Sequence, residues 1–198
     1  MSLFKLTSVS SSRSLGMILA GIAAIIMFSG FWSGKTLEDQ RLDRLQASNE
    51  TLQLLYQHAP EAREMLANSY GYAAFSNIGV KLILLSAEGG TGVAHVNGTG
   101  QNIYMNMASG GAGFGLGIKD FRAVFLFKDK AAFEQFVNEG WEANAQADAA
   151  AKLADKGDAV GAAITVAAGV RLYKLTQNGL ALQATIQGTK YWKDGDLN

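Results

Sequence analysis

The hydrophobic pattern changes character twice along the chain. From Leu15 to Trp32 the sequence LGMILAGIAAIIMFSGFW contains no charged residue. As a helix this run of roughly 18 residues is about 27 Å long, close to the thickness of a bilayer's hydrocarbon core. Phe31 and Trp32 end it where interfacial aromatic residues sit. The run predicts one transmembrane helix at 15–32. Beyond it, Leu42, Leu45, Leu52 and Leu55 recur at helical spacing after Thr36 and Asp39, a pair resembling a capping box, and predict a helix over 37–58. Asn49 breaks the leucine seam, which favours packing of this helix on the domain over a coiled-coil stalk. Pro60 suits the first turn of a second helix, 60–69, and Gly71 stops it.

From Tyr72 the period becomes two. Strands are expected at 72–76, 81–87, 91–96, 100–107, 110–118 and 121–128, with Asn97-Gly98 as a type I′ hairpin turn. FRAVFLFK at 121–128 is apolar on both faces apart from Arg122 and is expected at the centre of the sheet. Phe133, Phe136 and Val137 then predict a helix over 130–138 that crosses the sheet. The alanine-rich segment 141–158 fits either a helix or an outward-facing strand. Strands resume at 161–167, 170–176, 180–187 and 189–192, with another hairpin at Asn178-Gly179. Short strands joined by tight turns, with no repeat unit, predict an α+β fold. It is a single curved antiparallel β-sheet or barrel-like domain with flanking helices, preceded by the transmembrane helix.

The stretch SGGAGFGLGIK at 109–119 places Gly111, Gly113, Gly115 and Gly117 on alternate positions. A dinucleotide loop needs a different spacing, G-x-G-x-x-G. Period two instead puts the glycines on one face of a strand, where missing side chains let a neighbouring element approach and let the sheet bend. GFWSGKT at 30–36 is one residue short of a P-loop, follows a hydrophobic span rather than a strand, and is not read as a nucleotide site.

Composition narrows the function. The 17 basic and 17 acidic residues balance, so the long-range attraction used by nucleic-acid binders is missing. With no cysteine there is no disulfide, thiolate nucleophile or cysteine metal site. His58 and His95, the two histidines, fall in no metal spacing, and no G-x-S-x-G elbow is present. The expectation is a non-catalytic protein without metal or cofactor. Lys5 and Arg13 precede the hydrophobic run and Glu38 and Asp39 follow it, which places the N-terminus in the cytoplasm and the domain outside the inner membrane. No small-x-small site closes the run, so an uncleaved signal anchor is expected, with secretion to the periplasm after cleavage as the alternative.

Five segments in this order resemble one family: GYAAFSNIGVK at 71–81, GGTGVAHVNG at 89–98, ASGGAGFGLGIKDFRAVFLF at 108–127, FVNEGWEANAQADA at 136–149 and LTQNGLALQATIQGTKYW at 175–192. Together they resemble the SYLF domain, whose bacterial members are lipid-binding proteins and whose eukaryotic members bind phosphoinositides and actin filaments. The resemblance spans about residues 60–192 and implies a sheet-rich, non-enzymatic domain. Ser76 and KLILLSAE at 81–88 depart from the family's pattern, and the actin partner does not carry over to an envelope protein. The expected organisation is a basic cytoplasmic N-terminus (1–14), a signal anchor (15–32), a helical linker (33–59) and a SYLF-like lipid-binding domain (60–198).

Acidic residues outnumber basic ones after residue 34, so attraction to an anionic membrane has to be local. Lys119, Arg122 and Lys128, with Lys81 beside the apolar run Leu82–Leu85, are the expected lipid-binding residues, each basic residue contributing about 1 kcal/mol near an anionic surface. Asp120 and Asp129 stand near enough in sequence to take these cations in internal ion pairs instead. Phospholipid or a membrane surface is the expected partner, with a homo-oligomer or another envelope protein as the alternative.

Overall fold

The computed structural model describes residues 34–77, 87–110, 120–143, 163–181 and 188–198. Three helices and nine strands occur among them: α1 (Leu37–His58), α2 (Ala62–Ala67), β1 (Gly71–Ser76), β2 (Ala87–Val96), β3 (Asn102–Gly110), β4 (Arg122–Phe127), α3 (Lys130–Glu139), β5 (Trp141–Glu142), β6 (Ile164–Ala167), β7 (Val170–Thr176), β8 (Gly179–Leu180) and β9 (Thr189–Lys193). Every pairing is antiparallel, in the order β5-β9-β3-β2-β1-β4-β7-β6, with β8 also on β7. The strand FRAVFLFK is central as expected, paired to β1 on one side and β7 on the other. No helix among the described residues is long and apolar enough to cross a membrane. The expected transmembrane run 15–32 lies outside those residues, as do 78–86, the glycine-rich 111–119, 144–162 and 182–187.

The sheet is curled into a half-barrel, and its aromatic rings measure the curl. β1 and β9 are separated by β2 and β3, which in a flat sheet would set them about 14 Å apart. Yet the rings of Phe75 on β1 and Tyr191 on β9 are 4.8 Å apart, and Phe125 on β4, one strand further away, lies 4.9 Å from Tyr191. The intervening β2 makes room by carrying glycine. A Cβ on Gly92 would meet the Phe75 ring and the Ala74 carbonyl, and one on Gly90 would meet Met107 and the Ser76 carbonyl. α3 fills the concave side, packing Phe133, Phe136 and Val137 among these rings. Asp129 caps that helix through Oδ1, which accepts the Ala132 N–H at 3.0 Å, and Gly140 ends it with φ +75°. Burial pushes the Tyr191 hydroxyl pKa up.

The convex side carries a second core. Leu52 and Leu55 of α1 and Leu66 of α2 pack on Ala74, Val124, Leu126, Tyr173 and Leu175. α1 therefore lies on the sheet within the compact unit Leu37–Asn198, as the break at Asn49 suggested.

The β2–β3 turn differs from expectation. It is a five-residue loop, 97–101, whose left-handed residue is Gly100 (φ +71°) and not Gly98, so it is not type I′. The cause is tertiary: Asn97 turns its amide away to donate to the Leu66 and Ser69 carbonyls at 2.7 and 2.9 Å, closing the C-terminal end of α2. The hairpin at Asn178-Gly179 is present, with Thr176 paired to Gly179.

Candidate lipid-binding surfaces

Of the four expected lipid-binding residues, Lys81 and Lys119 lie outside the described residues. Arg122 and Lys128 fall on the same face of β4 but line separate clefts. They stand six residues apart at opposite ends of β4, a span of about 20 Å along a strand.

Arg122 donates through Nε to Asp120 Oδ1 at 3.1 Å, and the two side chains are only 12% and 15% exposed. The other carboxylate oxygen, Asp120 Oδ2, is buried and has no hydrogen-bond partner among the described residues. This pair ends a groove of about 650 Å³ that runs along α1. Leu42, Leu45 and Leu54 line the groove, with the amides of Gln46 and Gln53 at its rim. Leu52 and Leu55 turn to the core and leave Leu42 56% exposed, while the half-buried Leu45, one heptad before Leu52, and Leu54, packed beside the convex core, border the groove on its two sides. Asn49, Glu50 and Gln57 complete the lining, so the groove is an apolar strip bordered by polar side chains, with the guanidinium's charge offset by Asp120 and one carboxylate, Glu50, at its side. Its chemistry suits an uncharged acyl chain better than a phosphate.

Lys128 follows β4 and lines a separate cleft of about 470 Å³ with Arg171 of β7. Arg171 was not among the expected residues. Only the register finds it, since Leu126 pairs with Arg171 across the two strands. Nearby, the Tyr173 hydroxyl donates to Met65 Sδ at 3.3 Å. Its pKa is raised to about 12, chiefly by burial, with Glu61 adding to the shift and Arg171 opposing it.

The histidines have structural neighbours. His95 Nδ1 lies 2.8 Å from Asn102 Oδ1, and the His58 ring lies against Gly179. Among the described residues no three His, Cys, Asp or Glu side chains gather as a metal site.

No protein-family model matches the chain. It is similar to Beta cell expansion factor A of Aeromonas veronii, with 34% identity over 163 residues, 82% of this chain. The match spans 60% of that protein's length.

Proposed function

We propose that this chain is a membrane-anchored envelope protein whose sheet domain, a member of the SYLF type, binds lipid without catalysing a reaction. The acyl chain lies in the groove along α1. The observation that carries this reading is the groove itself, in which Leu42 is 56% exposed and the half-buried Leu45 and Leu54 stand at its two edges, on a helix whose other side is packed on the sheet. Covering Leu42, 56% exposed, contributes about 1 kcal/mol, roughly half the value for a fully exposed leucine. The order of the five sequence segments supports the lipid class, and the uncharged run 15–32 supports a single-pass inner-membrane anchor with the domain in the periplasm. If the run is cleaved, the same domain is soluble in that compartment.

Flotation of residues 34–198 with vesicles of phosphatidylethanolamine and phosphatidylglycerol tests the proposal, because the hydrophobic run cannot then carry the protein to the membrane. Flotation that is lost in Leu42→Asp is expected. Failure to float with any lipid composition would favour the reading as an envelope assembly protein.

A further inference from the structure

We infer that the cleft between α2, β4 and the β6–β7 turn is a binding site for a phosphate monoester, held by Lys128 and Arg171. This site is independent of the acyl-chain groove, which lies by the other end of β4. Continuing the β4–β7 register beyond Phe127 and Val170 puts Lys128 opposite Gly169, whose carbonyl accepts the Lys128 N–H at 2.8 Å. Lys128 and Arg171 are thus diagonal neighbours on one face, a separation of about 7–8 Å between their backbones that long side chains bridge. Leu126, on the same face and directly opposite Arg171, also lines the cleft.

Two cations set this close repel one another unless an acid or a ligand intervenes. Neither has a carboxylate partner among the described residues. No acidic side chain lines the cleft. Asp129 directs Oδ1 to the cap of α3 and stands with Oδ2 3.4 Å from where a Cβ on Gly169 would be, and Glu61 acts on Tyr173; neither makes an ion pair with Lys128 or Arg171 among the described residues or lines the cleft. The pair differs in this from Arg122, whose charge Asp120 already offsets.

The remaining lining selects the class of anion. Arginine offers a planar fork that takes two oxygens of a phosphate, while lysine adds a point charge. Thr165 supplies a hydroxyl and Asn68 an amide at the rim. Met65 and Leu126 form an apolar wall, and the cleft is larger than a bare phosphate requires. A phosphate carrying a small organic group uses both parts. Such an ester can be a soluble metabolite or the headgroup of a lipid.

The test is a titration of the full-length protein in non-ionic detergent with glycerol 3-phosphate, following the backbone amide NMR signals of Lys128, Gly169 and Arg171. Saturable shifts at these amides are expected, with affinity falling about tenfold in Arg171→Gln. A smaller loss is expected in Arg171→Lys, which keeps the charge but not the fork. Displacement of glycerol 3-phosphate by phosphatidic acid, but not by phosphatidylcholine, each added as mixed micelles in the same detergent, identifies a lipid headgroup as the source, and lack of displacement identifies a soluble ester. No saturable shift in the wild-type chain, or unchanged affinity in a folded Lys128→Gln, Arg171→Gln double variant, overturns the proposal. Leu42→Asp is expected to leave this titration unchanged, so failure here is separable from failure of the acyl-chain groove.

Discussion

Arg44 and Asp194 are 150 positions apart in sequence and meet with Arg44 Nη2 2.8 Å from Asp194 Oδ2, their side chains 12% and 11% exposed. Asp194 is a hub. Its Oδ2 also accepts from Asn106 at 3.0 Å, and its Oδ1 accepts the backbone N–H groups of Asp196 and Leu197. Arg44 in turn donates to the Met105 carbonyl at 3.0 Å. One carboxylate thereby ties α1, β3 and the C-terminal turn together. Removing it leaves a nearly buried guanidinium without its counter-charge, so Asp194→Ala is expected to cost about 3 kcal/mol in urea unfolding. A loss below about 0.5 kcal/mol, the range of an ordinary surface substitution, would contradict this account of the link.

The same hub makes stability acid-sensitive. Burial alone would raise the Asp194 carboxyl pKa, but the Asp196 N–H, Asn106, Arg44 and the Leu197 N–H together hold it below the ordinary aspartate value. The folded protein therefore binds this proton less readily than the unfolded chain. Its contribution is complete above the unfolded value and is lost as pH falls through the lower, folded value. Thermal melts between neutral pH and pH 3 are expected to show a steeper acid loss in the wild-type protein than in Asp194→Asn. Parallel curves would remove Asp194 as a source of the acid sensitivity.

Two glycines separate structural need from tolerance. Gly92 lies under the Phe75 ring with the Ala74 carbonyl 2.6 Å from where its Cβ would be, and backbone cannot retreat as a flexible side chain does. Gly92→Ala is expected to cost about 2 kcal/mol. Gly98 has no heavy atom within 4 Å of its would-be Cβ and no left-handed φ, so Gly98→Ala should remain within about 0.5 kcal/mol of wild type. Equal melting temperatures for the two variants would show that the curl does not depend on the bare face of β2.

What the sequence made legible was local. Periodicity alone places α1, α3, β1, β4, β7 and β9 within a few residues, because each buries a face with its own period. The principle that alternate glycines admit a neighbour is visible at Gly90 and Gly92 of β2, whereas Gly111 to Gly117, where the sequence alternates most regularly, lie outside the described residues. Non-local relations were not legible. Asn97 reads as a turn residue until α2 supplies two carbonyls for its amide. Arg171 gains meaning only from its register opposite Leu126, and Leu54 only from the path of α1 over the sheet. The charge pattern grouped Arg122 with Lys128, whereas a six-residue strand sets them at opposite ends and Asp120 takes the first into an ion pair.

The groove along α1 carries the lipid reading, and the most direct measurement labels the leucine methyl groups of residues 34–198 and adds vesicles containing acyl-chain spin-labelled phospholipid. The account predicts that the methyl signals of Leu42, Leu45 and Leu54 broaden first, while those of Leu52 and Leu55, buried against the sheet, broaden least. Binding without broadening at Leu42, Leu45 and Leu54, or broadening confined to other leucines, would contradict it.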